Sequence, residues 1–334
     1  MTAAAYVTTA QRSLTGLWQR SRSRASAADA MVQAALSGGD WRQERALRTV
    51  TDTSVYTVSG PRGEAVLKVT DTDSGLAGLR REGDVLRQLW AEERLGDWRA
   101  MLPVPLDSGD AGSGAFLLTS RLPGQDGREL PPEAAGRLTT AAVDAITPLH
   151  QRNRTIRMVD QALLSNWVDQ PAQLIKRVLP ANAAVSRLAE ALRGDLAGRL
   201  VALGWTHGDF HPGNLLVGAD GRVTGIVDWG EARDEDLPVL DLAFWLLTVP
   251  ASGQPRELGK RVAGRLRHQQ FWTPAERRLL GRSADGGLAA GRTLLLLAWL
   301  RHVGSNLAKS DRYASNPLWL RWNVVPVLRQ VAHG

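Results

Sequence analysis

The sequence predicts an α+β fold in which a strand-rich first part precedes a larger and mainly helical second part. Between about Leu47 and Ser120, short apolar runs rich in strand-forming residues alternate with turn residues, which is typical of antiparallel strands. Beyond Pro131 the apolar residues recur at helical spacing. We therefore predict a basic N-terminal extension over residues 1–40, a first domain over 41–119 and a second domain over 120–334.

Composition excludes several classes of protein. The 334 residues are 43% hydrophobic and 22% charged, which is ordinary for a globular protein. Cysteine is absent, so a disulfide framework, a thiol nucleophile and a cysteine metal site are excluded. The longest apolar run, Leu294–Leu300, is too short to cross a bilayer, and the first residues lack the order of a signal peptide. We expect a cytoplasmic protein without a membrane span.

The net charge of +7 comes mostly from arginine. A basic surface could attract nucleic acid or anionic lipid, but no nucleic-acid-binding motif is present and the arginines are scattered. We favour a coding bias and expect no specific nucleic-acid partner. Residues 1–40 are rich in Arg and Ser, with no acidic residue before Asp29. They are predicted to be a loosely ordered arm or one or two short helices packed on the first domain, and their role is unassigned.

The first domain is predicted to open with a hairpin and to close with a single strand. Val50–Ser59 and Ala65–Val69 have the composition of strands, and Gly60–Gly63 is the turn between them. Phe116–Thr119 is the predicted last strand. The Pro123–Gly124 pair ends this strand and begins the second domain.

The segment Thr206–Gly230, THGDFHPGNLLVGADGRVTGIVDWG, carries the strongest signal in the chain. Asp209 and Asn214 are separated by a Pro-Gly turn, which lets both side chains face one cavity. An acceptor hydroxyl held in line by a carboxylate base is one requirement of phosphoryl transfer, and Mg²⁺ to neutralise the phosphates is the other.

A hairpin is predicted to return the chain to that cavity. Leu215–Val217 and Val223–Val227 have strand composition, with a turn at Ala219–Gly221 between them. Asp228 follows the second strand, so the hairpin carries it back to the end where Asn214 lies. Gly230 is expected to provide the sharp backbone bend.

The motifs HGDFHPGN and GIVDWG resemble those of the aminoglycoside phosphotransferase and choline kinase family, small-molecule kinases with a protein-kinase-like fold. The resemblance covers roughly residues 45–250. It implies a bilobal fold, ATP as the phosphoryl donor and Mg²⁺ as the metal. It also implies that Asp209 is the catalytic base and that Asn214 and Asp228 hold the metal. Trp229 in place of the Phe of D-F-G is common in that family.

The resemblance further implies a lysine–glutamate pair that positions the phosphates. Lys68, in AVLKV, matches the lysine of the third strand. A predicted helix from about Ser74 places Glu82 on its apolar face, where a carboxylate needs a partner, and Lys68 would be that partner. The alternative is that Glu82 lies at the edge of the helix and pairs with Arg81 or Arg87 in solvent.

Four other residues are implied to contact the nucleotide. Thr53 and Ser54 stand where protein kinases have a glycine-rich loop, and their hydroxyls and backbone N–H groups could contact phosphate instead. Ser120 and Leu122 would form the hinge, whose backbone reads the edge of the adenine.

The second domain is predicted to be helical apart from the hairpin. Helices are expected around residues 131–150, 158–170, 182–202, 238–249, 256–268, 274–282, 286–304 and 316–333. The motif HGDFHPGN, residues 207–214, is called the catalytic loop below, and His207 is expected to support it through backbone hydrogen bonds. Asp241 is expected to buttress that loop, and His150 is expected to be a core or supporting residue rather than a catalyst.

Two charge patterns give opposite indications about the acceptor. Glu231 and residues 234–236 form an acidic run that could bind a cationic acceptor, whereas residues 256–282 carry many arginines where aminoglycoside-directed members are usually acidic. Both runs could equally be solvated helix faces. Trp299, Trp319 and Trp322 could stack on a sugar or a cation, or belong to the core.

Three functions remain open at this stage. The first is an ATP- and Mg²⁺-dependent kinase acting on a hydroxyl of a small molecule, such as a sugar, amino sugar, amino alcohol or natural product. A protein hydroxyl is disfavoured, because no activation segment is recognisable between Asp228 and Asp241. The second is a catalytically silent nucleotide-binding module that acts through a partner protein. The third is a polyanion-binding protein.

Overall fold

A computed structural model describes residues 27–47, 52–152, 154–180, 183–249, 257–283 and 291–333. Contacts divide the chain into two compact units. The first unit runs to Arg80 and also includes Pro105–Arg121, and the second unit contains Arg81–Val104 and everything from Leu122 onward. Within the described ranges, no helix is both long enough and apolar enough to cross a membrane.

The first unit is built on a five-stranded antiparallel sheet with the order β1-β2-β3-β5-β4. Its strands are β1 (Arg42–Leu47), β2 (Ser54–Gly60), β3 (Gly63–Thr70), β4 (Pro105–Ala111) and β5 (Gly114–Ser120). The β2–β3 hairpin and the closing strand β5 confirm the predicted strands, although Val50 and Thr51 lie outside the described residues. Strand β1 was not predicted, because its sequence RQERAL is charged and largely exposed and so lacks apolar alternation.

A helix over residues 27–36, α1, packs on this sheet. Its apolar residues Met31 and Val32 are buried in one cluster with Tyr56, Leu67 and Leu118 of the sheet. This part of the predicted extension is therefore a short helix packed on the first domain, which was one of the two expectations. Residues 1–26 lie outside the described part of the chain.

Helix α2 (Asp73–Ala91) begins where the sequence predicts. Leu86 and Leu89 are fully buried, and Glu82 is 4% exposed on the same side. The placement of Glu82 at the edge of the helix is therefore wrong, and Arg87 pairs with Asp84 instead, at 2.6 Å. The pairing of Glu82 with Lys68 stays a prediction.

The second unit is mainly helical, as predicted. Its helices are α3 (Ala135–Arg152), α4 (Gln161–Leu164), α5 (Gln170–Val178), α6 (Ala183–Leu196), α7 (Val239–Thr248), α8 (Leu258–Arg267), α9 (Pro274–Leu280), α10 (Arg292–Lys309), α11 (Asp311–Ala314), α12 (Pro317–Asn323) and α13 (Val325–His333). Helix α10 packs against α5, α7 and α8. Every residue of α7 from Val239 to Leu247 is buried, so α7 and α10 provide a rigid core for the loops they support.

Two three-stranded sheets complete the second unit, with the orders β10-β9-β6 and β11-β8-β7. Their strands are β6 (Gln125–Asp126), β7 (Thr155–Met158), β8 (Leu200–Thr206), β9 (Leu215–Val217), β10 (Val223–Ile226) and β11 (Arg233–Asp236). The predicted helix over 182–202 was too long, since α6 ends at Leu196 and β8 follows. A short apolar run is compatible with both a helix and a strand, so the sequence did not separate α6 from β8. Gly198, in a left-handed conformation (φ 70°), ends the helix.

Candidate active site

The hairpin β9–β10 brings the two predicted metal ligands to one end. Leu215 pairs with Ile226 in the antiparallel ladder. Beyond that pair, the backbone N–H of Val227 donates to the carbonyl of Asn214 at 2.9 Å. Asp228 is the next residue, so Asn214 and Asp228 leave the ladder at the same end, as the sequence predicts.

The bend after the hairpin lies at Asp228 and not at Gly230. Asp228 has a left-handed backbone (φ 66°, ψ 64°), whereas Gly230 has no positive φ. Aspartate tolerates this region better than most residues, because its short polar side chain can bond locally. Trp229 is fully buried and donates its indole N–H to the carbonyl of Ile226 at 2.8 Å. This anchor holds the exposed Asp228 side chain at the end of the hairpin.

Asp241 holds the start of the catalytic loop. Its two carboxylate oxygens accept hydrogen bonds from the backbone N–H groups of His207 (2.7 Å) and Gly208 (2.9 Å). His150 Nε2 lies 3.0 Å from the same carboxylate, and both side chains are almost wholly buried. Burial raises the pKa of Asp241, but the hydrogen bond and charge of His150 and the N–H of His207 outweigh it and lower the pKa. The contacts agree with the predicted supporting roles of Asp241 and His150.

His207 ties the catalytic loop to the hairpin. Its Nε2 donates to the carbonyl of Val227 at 2.9 Å, and its Nδ1 accepts from the backbone N–H of Asp209 at 3.3 Å. One ring nitrogen donating and the other accepting is the pattern of a neutral imidazole. His207 thus supports the loop through backbone hydrogen bonds, as the sequence analysis expects.

Gly208 permits a close approach between the catalytic loop and the turn after Asp228. It has a left-handed backbone (φ 81°), and a Cβ atom built there would lie 2.2 Å from the carbonyl oxygen of Glu231. We expect Gly208→Ala to destabilise the protein by about 1–3 kcal/mol and to lower turnover, because the loop must move away from that carbonyl.

Gly221 provides a matched control for this prediction. It has the same backbone conformation (φ 80°), but a Cβ atom there would meet nothing within 4 Å. Chemical denaturation of both alanine variants separates the cost of the left-handed conformation from that of the close approach. Equal losses in the two variants would show that the contact with Glu231 is unimportant.

The donor atoms at the end of the hairpin suit Mg²⁺. Asn214 donates from Nδ2 to the backbone carbonyl of Asp209 at 2.9 Å, so Oδ1 is the amide atom that can bind a cation. Asp228 adds a carboxylate. In the described part of the chain, no group of three or more acidic, histidine or cysteine side chains could hold a metal. Mg²⁺ usually binds only one or two protein oxygens, because waters and phosphate oxygens complete its coordination shell. Two oxygen donors from Asn214 and Asp228 fit this preference.

Asp209 pairs with a lysine that the sequence analysis did not assign to the site. Nζ of Lys309, at the end of α10, lies 3.2 Å from Oδ2 of Asp209 and 3.8 Å from Oε1 of Glu231. Burial raises the pKa of Asp209, but the charge of Lys309, with smaller contributions from nearby histidines, outweighs burial and lowers the pKa. Burial also lowers the pKa of Lys309, and the two carboxylates raise it above its ordinary value. Both groups are therefore ionised at neutral pH.

The same helix carries a partly buried histidine. His302 stacks on Phe244, with ring centroids 4.8 Å apart. Burial lowers the pKa of His302 to about 4, so its ring is neutral at pH 7. The sequence gives little indication of a role for Lys309, because 100 residues separate it from Asp209. Its only local distinction is that it is one of few lysines in an arginine-rich chain.

The predicted nucleotide-binding residues lie in both units. Thr53 precedes β2, Ser54 begins it, Lys68 lies on β3 and Ser120 ends β5, all in the first unit. In the second unit, Leu122 packs on β10, where a Cβ atom at Gly225 would lie 2.6 Å from the Leu122 side chain. The roles of these residues in binding nucleotide stay predictions.

Several arginines of the basic run over residues 256–282 form ion pairs or hydrogen bonds within the protein. Arg265 pairs with Glu276 at 2.6 Å, and Arg282 pairs with Asp144 at 2.6 Å. Arg261 donates to the carbonyls of Leu247 and Val249. These described arginines therefore hold helix ends in place. Arg256 lies outside the described residues.

The three tryptophans differ in exposure. Trp299 is fully buried, and its indole N–H donates to the carbonyl of Asn323 at 2.7 Å, so it belongs to the core. Trp319 is partly buried against Tyr313. Trp322 is 38% exposed, and Nζ of Lys260 lies 4.9 Å from the ring centroid.

Comparisons with known proteins agree with the geometry of the loop and hairpin. The model of the phosphotransferase enzyme family matches residues 20–280 of the chain. A comparison with curated proteins finds no match.

Several solved structures share the fold at low identity. A putative aminoglycoside phosphotransferase from Ralstonia eutropha is 15% identical, with 91% of this chain and 98% of that chain covered and a TM-score of 0.57. A thermostable mutant of aminoglycoside phosphotransferase APH(4)-Ia, in a ternary complex with ADP and hygromycin B, is 17% identical, with 87% and 94% covered and a TM-score of 0.55. Aminoglycoside phosphotransferase APH(3'')-Id from Streptomyces rimosus is 18% identical, with 83% and 97% covered and a TM-score of 0.51.

These likenesses confirm the predicted kinase-like fold, and the family match extends over most of the chain. That match includes the catalytic loop and the hairpin with Asp228. The chain belongs to the phosphotransferase enzyme family, and it is a small-molecule phosphotransferase with an alcohol group as acceptor.

Proposed function

We propose that this protein transfers the γ-phosphoryl group of ATP to a hydroxyl of a small molecule in a Mg²⁺-dependent reaction. The observation that carries the proposal is the geometry around Asp209. Its backbone carbonyl accepts from Asn214, its carboxylate is held by Lys309, and its loop is held by Asp241. A carboxylate that has a fixed position and is ionised at neutral pH can orient a hydroxyl and accept its proton.

Each residue of the loop and hairpin has a role in this proposal. Asp209 would align the acceptor hydroxyl and take its proton as the phosphoryl group moves. Asn214 and Asp228 would hold Mg²⁺, which when bound neutralises charge on the phosphates. His207 and Asp241 would keep the loop in position without touching the substrates.

Nucleotide binding is supported by two kinds of observation. Two APH(4)-Ia mutant structures are ternary complexes with hygromycin B and an adenine nucleotide, ADP in one and AMP-PNP in the other. In this chain, the motifs that resemble the family include Lys68 and Glu82, for which we propose contact with the phosphates and support of the lysine. Thr53, Ser54, Ser120 and Leu122 are the other proposed contacts.

The direct test is transfer of labelled γ-phosphate from Mg²⁺-ATP to a pooled panel of sugars, amino sugars, amino alcohols and antibiotics. Transfer to one pool would support the kinase and name its acceptor class. Saturable Mg²⁺-ATP binding without transfer to any pool would favour the silent nucleotide-binding module. Absence of both transfer and binding would overturn the proposal.

Asp228→Asn tests the metal site without disturbing the backbone. Asparagine, unlike alanine, tolerates the left-handed conformation of residue 228, so the substitution chiefly removes a charge. We expect the Mg²⁺-dependent gain in ATP affinity to fall by at least about tenfold, or about 1.4 kcal/mol, because the metal loses its charged protein ligand. Calorimetric titration with and without Mg²⁺ measures this gain.

Asp220→Asn is the matched control. Asp220 lies in the turn of the same hairpin, is exposed, and is not part of the proposed metal site. Its variant should bind Mg²⁺-ATP as the unmodified protein does. An unchanged Mg²⁺ dependence in Asp228→Asn would remove Asp228 from the metal site.

A further inference from the structure

The catalytic loop and the turn that follows β10 meet at the C-terminal end of α10. A Cβ atom at Gly208 would lie 2.2 Å from the carbonyl oxygen of Glu231, so the two backbones are in close contact. Ser305 of α10 donates to Oε2 of Glu231 at 2.7 Å, and Lys309, one helical turn later, lies 3.8 Å from Oε1. The same ammonium lies 3.2 Å from Oδ2 of Asp209. Lys309 therefore bridges the carboxylate of the loop to the carboxylate of the turn.

Helix α10 is a rigid support for this bridge. All its residues from Leu294 to Leu300 are buried, and it packs against α5, α7 and α8. On the face of the helix that carries the bridge, Arg301 pairs with Asp236 of β11, which is completely buried. Two carboxylates of the acidic run, Glu231 and Asp236, are thus bonded to α10.

Asp209 has one carboxylate oxygen engaged and one open. Within the described part of the chain, Lys309 is the only side chain that forms a hydrogen bond or ion pair with this carboxylate, and it does so through Oδ2. The other bonds of residue 209 use its backbone: the carbonyl accepts from Asn214, and the N–H donates to Nδ1 of His207. Backbone bonds fix the loop but leave the side-chain torsions free. The direction of the carboxylate therefore depends on Lys309, and Oδ1 is the oxygen left for a ligand.

Glu231 in turn helps to hold the lysine. A lysine side chain has a flexible four-carbon stem, so a single partner restrains its ammonium poorly. Glu231, which Ser305 fixes on α10, provides a second negative partner. One ammonium thus serves two carboxylates. Without Lys309, Asp209 and Glu231 would repel each other, and the Asp209 side chain would turn away.

The alignment of the base matters more than its strength in phosphoryl transfer. The transition state is loose in most analyses, so catalysis depends mainly on positioning and on electrostatic stabilisation. A displacement of about 1 Å in a reacting group costs about 10²-fold in rate. A carboxylate bound through one oxygen keeps the other oxygen in a defined direction, although the ion pair makes it a weaker base.

We propose that Lys309 is the positioning residue of the base: it holds Asp209 through Oδ2 and so presents Oδ1 to the acceptor hydroxyl. Glu231 and Ser305 keep the ammonium in place. Lys309 acts through Asp209 and has no contact with the substrates in this proposal. The inference rests on the proposed function, because it concerns the residue that would receive the proton of the acceptor.

Lys309→Met removes the charge and keeps a side chain of similar length. We expect kcat to fall by about 10–100-fold, because the carboxylate loses its direction, whereas KM for the acceptor should change by less than about threefold. Steady-state kinetics with the acceptor found in the panel measure both quantities. Glu231→Gln keeps Lys309 and should cause a smaller loss of kcat, of about threefold to tenfold.

Lys260→Met is the matched control, because Lys260 pairs with Glu257 elsewhere in the second unit. Its kcat should equal that of the unmodified protein. Lys309→Arg keeps a cation at the site and should recover most of the loss. In Lys309→Ala, propylammonium, which resembles the end of the missing side chain, should raise kcat in a saturable manner.

Two kinetic results would overturn the inference. One is a kcat of Lys309→Met within about threefold of that of Lys260→Met. The other is a rise in KM with unchanged kcat, which would make Lys309 a residue that binds the acceptor instead.

Crystal structures test the inference without a reaction. We expect Asp209 to occupy a single side-chain conformation in the unmodified protein and to rotate, or to occupy alternative conformations, in Lys309→Met. An unchanged conformation of Asp209 in Lys309→Met would overturn the inference even if kcat falls. Absence of transfer to every acceptor by the unmodified protein would count against the proposed function, and the crystal structures would then decide whether Lys309 holds Asp209.

Discussion

Asp209→Asn is expected to lower kcat by about 10²–10⁴-fold while leaving the affinity for Mg²⁺-ATP almost intact. The amide has the size and shape of the carboxylate, so the loop can keep two hydrogen bonds that involve only the backbone of residue 209. Its carbonyl accepts from Asn214, and its N–H donates to Nδ1 of His207. What the variant loses is the negative oxygen that we propose accepts the proton of the acceptor hydroxyl. It also loses the ion pair with Lys309, which leaves that ammonium with Glu231 alone.

Steady-state kinetics with the acceptor found in the panel measure the first effect, and calorimetry with Mg²⁺-ATP measures the second. Asp234→Asn is a suitable control, because Asp234 is an exposed acidic residue of β11. Turnover of Asp209→Asn at the level of the unmodified protein would show that Asp209 is not the base. A loss of ATP affinity equal to the loss of turnover would show that the substitution disrupts nucleotide binding instead.

Asp241→Ala is expected to destabilise the protein by about 3–5 kcal/mol and to abolish turnover. The substitution removes the acceptor of two backbone N–H groups, at His207 and Gly208, and the partner of buried His150. Buried polar groups left without partners incur their full desolvation penalty, and a buried charged group that loses its partner is among the most costly single changes. Because those N–H groups precede Asp209 directly, the loop loses its position as well.

Chemical denaturation measures the stability change, and Ser283→Ala is the control. Ser283 contacts the other ring nitrogen of His150 at 2.7 Å, so its removal affects only the far end of the same chain of contacts. We expect a loss of about 1 kcal/mol there. A change of less than about 1 kcal/mol in Asp241→Ala would contradict the supporting role.

The lowered pKa of Asp241 sets the pH range over which this contact contributes. A carboxyl group whose pKa is lower in the folded state stabilises the protein fully above its unfolded value, which is about 4. The contribution is lost as the pH falls through the folded value. The difference in unfolding free energy between the unmodified protein and Asp241→Asn should therefore be constant near neutral pH and shrink below about pH 4.

Local sequence was sufficient to predict the hairpin and the placement of the two proposed metal ligands at one end of it. The antiparallel pairing of β9 with β10 and the placement of Asn214 and Asp228 at one end follow from strand composition and a short turn, which involve only neighbouring residues. The buttressing role of Asp241 was expected from resemblance to the family's motif, and its contacts agree. The predicted position of the sharp bend was wrong. Glycine has the wider range of backbone conformations, which favoured Gly230, but Asp228 adopts the left-handed conformation because buried Trp229 anchors the turn.

The chain's own residues thus specified the kinase-like fold, the catalytic loop and the hairpin through local motifs, whereas the partners of Asp209 depended on tertiary packing. Lys309 lies 100 residues from Asp209, and it reaches that carboxylate only because α10 packs against α7. Helical spacing predicts that Arg301, Ser305 and Lys309 share a face, but it does not predict what that face contacts. Contacts between distant segments depend on how whole helices pack, and that packing decided which side chain pairs with Asp209.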